Sequence, residues 1–266
     1  MRAMILAAGL GTRLRPLTND RPKALVEING HTLLEIILTR LRSFGISDVI
    51  VNVHHFADAI VDYLQAKCDF GMRIEISRED GLLDTGGGLK KAAHFFLEDK
   101  LDEPFLLHNV DVISSIDIGR MIQFHLESHA LATLAVQERE TSRYLLFDNQ
   151  LQLCGRRSSD QGDELVRSAP RLNALAFCGI HVLSRQIFPL LTEEGVFPII
   201  PAYLRLAGQG EKILGFRADD YSWRDLGTPE NLRQAAADSA EGILRVSHVP
   251  PDSFFSGASY LWRYPQ

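Results

Sequence analysis

Cysteine is scarce in this sequence, and long apolar runs are absent. The three cysteines, Cys68, Cys154 and Cys178, stand far apart without C-x-x-C spacing, which argues against a zinc site and a disulfide framework. No apolar stretch approaches the ~20 residues that a transmembrane helix needs. The N-terminal apolar run is followed at once by glycine and arginine, unlike a signal peptide. We therefore expect a cytoplasmic protein with no membrane partner.

An excess of basic residues is also absent. The net charge of the 266 residues is −6 and the sequence pI is about 5.8, so the overall field offers nucleic acid no general attraction. With 45% hydrophobic residues, a chain of this length can bury one sizeable core. We expect one main domain over residues 1–240. An aromatic-rich extension over 241–266 would either fold back onto an apolar groove or form a homo-oligomer contact.

Short apolar runs alternate with segments of helical periodicity through the first half of the chain. This alternation predicts an α/β fold, with a Rossmann-like, doubly wound, mostly parallel mixed sheet and helices on both faces. In the second half, the apolar runs at 144–147, 151–153 and 175–183 predict an antiparallel flank. The polar residues 156–167 between them predict an exposed loop.

The most informative stretch runs from Leu6 to Thr18 and is followed by Pro22-Lys23. Glycines placed after the first strand let backbone N–H groups wrap a polyphosphate, to which Arg13 and Lys23 would add positive charge. A dinucleotide fingerprint needs a third glycine where this chain has Leu14, and the Gly-Lys-Ser/Thr of a Walker loop is absent. The stretch predicts a phosphate loop of another kind, the alternative being a plain turn with solvated arginines.

Two aspartates occupy positions that suit a metal site. Asp111 follows the predicted strand 104–108, and Asp225 lies in the Trp-Arg-Asp-Leu-Gly-Thr segment 223–228. Ligands of open α/β sheets bind at the carboxyl ends of the strands. Two carboxylates meeting there would suit Mg²⁺, which prefers one or two carboxylates together with water and phosphate oxygens. Either aspartate alone is as easily a helix cap or turn residue.

The segment 7–13, the later Pro22-Lys23 and the W-x-D-x-G-T segment together resemble the signature of the sugar-phosphate nucleotidylyltransferases. The resemblance extends from Met1 to about Ala240 and implies the nucleotide-diphospho-sugar transferase fold. It also implies a Mg²⁺-dependent reaction in which a nucleoside triphosphate and a sugar 1-phosphate give a nucleotide sugar and pyrophosphate. The first acid departs from the family's usual pattern, because Val110 stands where glycine or asparagine precedes the aspartate.

The resemblance assigns roles to individual residues. It implies that Arg13 sits beside the departing pyrophosphate, that Lys23 neutralises phosphate charge, and that Asp111 and Asp225 are the catalytic metal ligands. It implies nucleotide contacts from two segments: Leu6, Ala7, Ala8, Gly9, Gly11, Thr12 and Arg13, and then Leu83, Thr85 and Gly86. It implies sugar-phosphate contacts from Lys23, Asn109 and Gly179.

Residues 83–88, with Asn52-Val-His-His55, are most similar to the subgroup that includes N-acetylmuramate 1-phosphate uridylyltransferases and bacterial mannose 1-phosphate guanylyltransferases. Two other functions stay open. One is nucleotidyl transfer to a non-sugar phosphorylated acceptor, and the other is a regulatory subunit that binds sugar nucleotides without turnover. Such subunits often lose one of the basic or acidic site residues, and this chain retains them all.

Overall fold

A computed structural model describes residues 1–99, 102–160 and 162–240. The aromatic-rich extension expected over 241–266, with its possible homo-oligomer contact, lies outside these described residues. The three cysteines are free, as expected, with Cys68 exposed and Cys154 and Cys178 buried.

Strands and helices alternate through the first half of the chain. In chain order the elements are β1 (Arg2–Leu6), β2 (Glu27–Ile28), β3 (His31–Thr32), α1 (Leu33–Ser43), β4 (Asp48–Val53), α2 (Ala57–Ala66), β5 (Arg73–Arg78), α3 (Asp84–Lys91), α4 (Ala93–Leu97), β6 (Phe105–Asn109), β7 (Val112–Ser114) and α5 (Ile118–Ser128). Thr32 caps α1 as the sequence predicts, because its hydroxyl accepts the Glu35 N–H at 3.1 Å.

The second half contains more strands than helices. Its elements are β8 (Ala132–Gln137), β9 (Arg143–Phe147), β10 (Leu153–Ser158), β11 (Gly162–Leu165), β12 (Asn173–Leu183), α6 (Ile187–Leu190), α7 (Ile199–Gly208), β13 (Ile213–Arg217), β14 (Trp223–Asp225) and α8 (Pro229–Ala240).

Seven strands form the body of the main sheet, in the order β5-β4-β1-β6-β12-β8-β13. Strands β5, β4, β1 and β6 pair in parallel, as do β8 and β13, while β12 runs antiparallel to its neighbours β6 and β8. All strands of this body except β12 therefore end at the same edge. This arrangement confirms the predicted mostly parallel, doubly wound sheet.

Both faces of the sheet are covered, which is why its strands are apolar on both sides. On β1, Ala3 and Ile5 point into a cluster built with α1, α2 and α5, whereas Met4 points into a cluster built with α3, α4 and α7. The alternation follows from the two-residue period of a strand. Helices on both faces are thus confirmed.

The antiparallel flank grows from one end of β12. Residues 173–175 of β12 pair with β9, and β10 and β11 follow as further antiparallel strands. The structure corrects the expectation that residues 156–167 are a loop, because most of them form the β10–β11 hairpin. Its ladder includes cross-strand pairs of Arg156 with Glu164 and of Arg157 with Asp163. An exposed strand can be polar along its whole length, so apolar periodicity does not reveal it.

Candidate functional site

The carboxyl edge of the parallel strands brings the predicted site residues together. Leu6, at the end of β1, lies between Asn52 on β4 and Asn109 on β6. The chain leaves this edge after β1 into residues 7–13, which we call the first glycine stretch. Asp111 lies at the same edge, two residues after the end of β6. The topology therefore places the predicted phosphate loop beside the first predicted metal ligand.

The first glycine stretch presents unpaired backbone donors. The N–H groups of Ala8, Gly9, Leu10 and Gly11 donate to no acceptor within the described ranges. Gly11 has a φ of +64°, and a Cβ there would lie 3.0 Å from Thr18 Cγ2 and 3.2 Å from Lys23 Cβ. Glycine is thus required both by the left-handed backbone and by the close approach of Lys23. A run of free N–H groups around such a turn suits an anion.

The side chain of Leu14 holds this stretch in place by packing into the protein interior. It is fully buried in a small cluster with Leu226 and Leu232, next to α8. Leu14, which stands where a dinucleotide-binding fingerprint has its third glycine, therefore has a packing role. Because Leu226 lies between Asp225 and Gly227, the cluster fixes the stretch against the segment that carries the second predicted metal ligand.

Lys23 and Asp111 form an ion pair at the centre of the site. The lysine side chain is 9% exposed and the aspartate side chain 19% exposed. Burial strengthens such a contact and makes either charge costly to leave alone. The two residues are 88 positions apart in sequence, so the fold alone unites the predicted phosphate-binding lysine with the predicted metal-binding acid.

Asp225 lies beside Asp111 on a separate two-stranded ribbon made of β7 and β14. The Leu226 N–H donates to the Asp111 carbonyl at 2.7 Å, and the Gly227 N–H donates to Asp225 Oδ1 at 2.6 Å. Asp225 Oδ1 and Arg13 Nη2 each lie 2.6 Å from the point where a Cβ on Gly227 would stand. The structure thus gathers both acids and both cations of the predicted catalytic set around one place.

The donor set at this place fits a hard divalent cation. Asp111 Oδ2 contacts Lys23 and Asp225 Oδ1 accepts the Gly227 N–H, while the other oxygen of each carboxylate accepts no hydrogen bond from the described residues. Within the same ranges no group of three or more His, Cys, Asp or Glu side chains could hold a metal. A cation here would have two carboxylate ligands at most and would take its remaining ligands from phosphate and water, as Mg²⁺ does.

Residues 83–88, the second glycine stretch, are packed against protein. The Gly86 and Gly87 N–H groups both donate to the Phe197 carbonyl, at 2.9 and 3.2 Å, and the Thr85 hydroxyl accepts the Ile199 N–H at 2.9 Å. A Cβ on Gly86 would lie 2.3 Å from a Phe197 ring carbon. Residues 84–88 form the start of α3, so these glycines lie inside a helix.

Two residues that sequence reasoning did not assign to the site connect the two stretches. Asn52 Oδ1 accepts the Ala7 N–H at 2.7 Å, and Asn52 Nδ2 donates to Glu79 Oε1 at 2.7 Å. Glu79 Oε2 accepts the Leu83 N–H at 2.9 Å. Both side chains are buried. The signal in the sequence is a single polar residue inside the apolar run Asp48-Val-Ile-Val-Asn-Val53, because a buried amide needs hydrogen-bond partners.

Asn109 and Gly179 meet on the other side of Asp111. Gly179 has a φ of +73°, and a Cβ there would lie 2.9 Å from Asn109 Nδ2 and 3.0 Å from Val112 Cγ2. His108 precedes Asn109, and burial lowers the pKa of His108 to about 4. His108 is therefore neutral at pH 7 and adds no positive charge to the site.

Comparisons with known proteins show which family this chain resembles. The model of the nucleotidyl transferase family matches residues 2–148. N-acetylmuramate α-1-phosphate uridylyltransferase of Caulobacter vibrioides is 36% identical over 247 residues, covering 90% of this chain and 97% of that protein. Mannose-1-phosphate guanyltransferase of Yarrowia lipolytica is 30% identical over 241 residues, covering 87% of this chain and 62% of that protein.

A solved structure shows the same fold. HddC from Yersinia pseudotuberculosis superimposes with a TM-score of 0.70 at 22% identity, covering 89% of this chain and 98% of that one. Among the described helices, none is both long enough and apolar enough to cross a membrane.

Proposed function

The chain belongs to the nucleotidyl transferase family, and from this premise we propose that it transfers a nucleoside monophosphate from a nucleoside triphosphate to a sugar 1-phosphate. The observation that carries the proposal is the meeting of Arg13, Lys23, Asp111 and Asp225 around the first glycine stretch. Two cations, two carboxylates and a row of free N–H groups are what a reaction between two phosphate groups requires.

An oxygen of the sugar 1-phosphate attacks the α-phosphorus of the triphosphate. The new P–O bond forms as the bond from the α-phosphorus to the oxygen bridging to the β-phosphorus breaks, and pyrophosphate leaves with that oxygen. The attacking oxygen is already anionic at neutral pH, so no general base is needed. The site's task is to hold two mutually repelling anions in line and to stabilise the charge of the transition state.

Each site residue has a role in this scheme. Asp111 and Asp225 would hold Mg²⁺, which supplies charge neutralisation between the reacting phosphates. Arg13 contacts the departing pyrophosphate, and Lys23 leaves Asp111 to contact the phosphates when they bind. The N–H groups of residues 8–11 wrap the triphosphate.

The relative matched over nearly its whole length supports a proposal for the base and the sugar. We propose UTP as the donor and N-acetylmuramate 1-phosphate as the first acceptor to test, because that relative is matched over 97% of its length, against 62% for the mannose enzyme. Leu83 and Thr85, in the second glycine stretch, would line the base, and Gly86, which packs against Phe197, would hold them in place. Asn109 and Gly179 would contact the sugar.

The test is a pyrophosphate-release assay that crosses four nucleoside triphosphates with N-acetylmuramate, mannose and glucose 1-phosphates, with the product identified by mass. We expect the highest kcat/KM with UTP and N-acetylmuramate 1-phosphate, and no release by Asp225→Asn. Nucleotide binding without release on any sugar would point to a regulatory subunit. Release with phosphocholine alone would point to a different acceptor, and either result overturns the proposal.

A further inference from the structure

Arg139 is a positively charged residue at the site that the reaction scheme does not use. It follows β8, which runs parallel to β6 and so ends at the edge where the site lies. Its guanidinium carbon stands 3.8 Å from the centre of the Trp223 ring, and its Nη2 donates to the Phe177 carbonyl at 2.8 Å. Trp223 in turn donates its indole N–H to the Cys178 carbonyl at 2.7 Å.

These contacts place the guanidinium beside the strand segment that ends at Gly179. Phe177 and Cys178 directly precede that glycine, and Trp223 lies two residues before Asp225. Arg139 therefore lies beside the strand segment that ends at Gly179, where the acceptor sugar is expected. A planar guanidinium held by an aromatic ring and a carbonyl has a fixed orientation, which suits the recognition of a planar anion.

In the described part of the chain no carboxylate oxygen lies within ion-pair distance of Arg139, whose guanidinium also contacts the Cys178 thiol. By contrast, Arg217 is paired with Glu138, the residue before Arg139, and Arg156 and Arg157 on the hairpin are paired with acids as well. The Nε of Arg139 is buried and has no hydrogen-bond partner. Burying a guanidinium whose charge and N–H donor are unpaired costs free energy, and a bound anion would offset that cost.

We propose that Arg139 is a specificity-determining residue that binds a carboxylate on the acceptor sugar, so that the natural acceptor is an acidic sugar 1-phosphate. The proposal rests on the proposed function and narrows its substrate class. In the proposed reaction the phosphate of the acceptor binds at the cation site of Asp111 and Asp225. An anionic group that binds Arg139 would therefore be a second one, carried by the sugar itself. N-acetylmuramate, which carries a lactyl carboxylate, is one such sugar, and a uronic acid is another.

The experiment compares two acceptors that differ only in the 3-O-lactyl ether that carries the carboxylate, N-acetylmuramate 1-phosphate and N-acetylglucosamine 1-phosphate. Arg139→Gln should lower kcat/KM for the acidic sugar by about 10- to 100-fold, as expected for a lost charge-assisted hydrogen bond. It should change kcat/KM for the neutral sugar by no more than about threefold. Arg233→Gln, which removes an exposed arginine on α8, is the matched control and should leave both values unchanged.

If Arg139→Gln does not fold, the proposal can still be tested by changing the substrate instead of the enzyme. With the wild-type enzyme, the methyl ester of the lactyl carboxylate should lose about as much kcat/KM as the variant loses with the free acid. Arg139→Lys, which keeps the charge but not the planar fork, should fall between wild type and the glutamine variant on the acidic sugar.

Three results would overturn the inference. Equal losses on both sugars in a folded variant would make Arg139 a structural or phosphate-binding residue. Equal turnover of the acid and its ester would show that the carboxylate is not recognised. Turnover of neutral sugars alone would exclude an acidic acceptor while leaving nucleotidyl transfer intact, whereas no release with any sugar 1-phosphate is failure of the proposed function itself.

Discussion

The two glycine stretches of this protein resemble each other in composition and differ in what their glycines contact. At Gly9, in the first stretch, a Cβ would meet no atom within 4 Å. At Gly86, in the second, it would lie 2.3 Å from the Phe197 ring, and at Gly87 2.4 Å from the Gly195 carbonyl oxygen. Gly9 in the first stretch is open where a ligand would lie, whereas Gly86 and Gly87 in the second are covered by Phe197 and Gly195.

The difference teaches that a glycine-rich segment has two physical explanations. Glycine admits the close approach of either a ligand or another part of the chain. In the first stretch the N–H groups of residues 8–11 donate to no acceptor among the described residues, whereas in the second the Gly86 and Gly87 N–H groups are bonded to the Phe197 carbonyl. Substitutions in the first stretch and its partners should therefore affect catalysis, and substitutions in the second should affect stability.

The largest effect should come from the acid beside the first stretch. Asp111→Asn removes a proposed metal ligand and should lower kcat by at least about 100-fold, because each 1.4 kcal/mol of lost transition-state stabilisation costs a factor of ten. The measurement is pyrophosphate release at saturating substrates, together with Mn²⁺ binding followed by electron paramagnetic resonance.

Lys23→Met is the matched control for that experiment. It removes the other half of the ion pair and should also be slow, but it should retain Mn²⁺ binding because both carboxylates remain. Unchanged Mn²⁺ affinity in Asp111→Asn would remove Asp111 from the metal site.

The second stretch should show the largest loss of stability. Gly86→Ala forces a methyl group into the Phe197 ring and should lower the free energy of unfolding by about 1–3 kcal/mol, or about 2–4 °C in Tm for each kcal/mol. Gly81→Ala is the control, since a Cβ there meets nothing within 4 Å. Adding Phe197→Leu should recover part of the loss. A stable Gly86→Ala variant that loses nucleotide affinity would show that this stretch is open to ligand after all.

Acid should destabilise the fold through three buried histidines, two on the sheet and one on α5. Burial lowers the pKa of His108 and His125 to about 4 and of His181 to about 3, from 6.5. Below about pH 6.5 the unfolded chain takes up protons that the folded chain refuses, so stability is lost as the pH falls from about 6.5 towards 4. The slope should reach about 1.4 kcal/mol per pH unit for each histidine.

Urea unfolding between pH 7 and pH 4.5 measures this slope. His125→Gln, which removes one of the three groups, should make it shallower by about a third. A stability that does not change over this range would show that the histidines are protonated in the folded protein.

The smallest change in stability is expected at Gly9. Gly9→Ala should leave the free energy of unfolding within about 0.5 kcal/mol of wild type, because the site has room and Gly9 has no positive φ. It should nevertheless raise the KM for the triphosphate several-fold, since the methyl group occupies the space in which backbone N–H groups meet phosphate. A fall in Tm as large as that of Gly86→Ala would show that Gly9 is packed against protein and is not open to a ligand.

The sequence predicted the sheet, and the meeting of the proposed site residues at one edge, for reasons that operate locally. Buried parallel strands require continuous apolar runs, so β1, β4 and β6 are visible as 3–7, 48–53 and 104–108. Residues at the ends of such strands must share one edge, which is why Asp111 could be placed beside the first glycine stretch before any coordinates.

What the sequence could not predict depends on partners that are distant in the chain. Nothing near residue 86 indicates that Phe197 closes the second stretch, and nothing near Arg139 indicates that it stacks on Trp223. The β10–β11 hairpin has no apolar period because it is exposed, and the role of Leu14 as an anchor requires knowing that Leu226 lies below it. Contacts between side chains more than 80 positions apart in the sequence depend on the whole fold and leave no local signal.

The ribbon of β7 and β14 has a consequence for how products leave. Asp111 and Asp225 are joined through this ribbon and the Leu226–Asp111 hydrogen bond, whereas Arg13 and Lys23 belong to a different part of the chain. The spacing between the two acids is therefore set independently of the spacing between acids and cations. In the proposed reaction, pyrophosphate can therefore leave its contacts with Arg13 and Lys23 without changing the spacing between the two acids, which stays set for the next triphosphate.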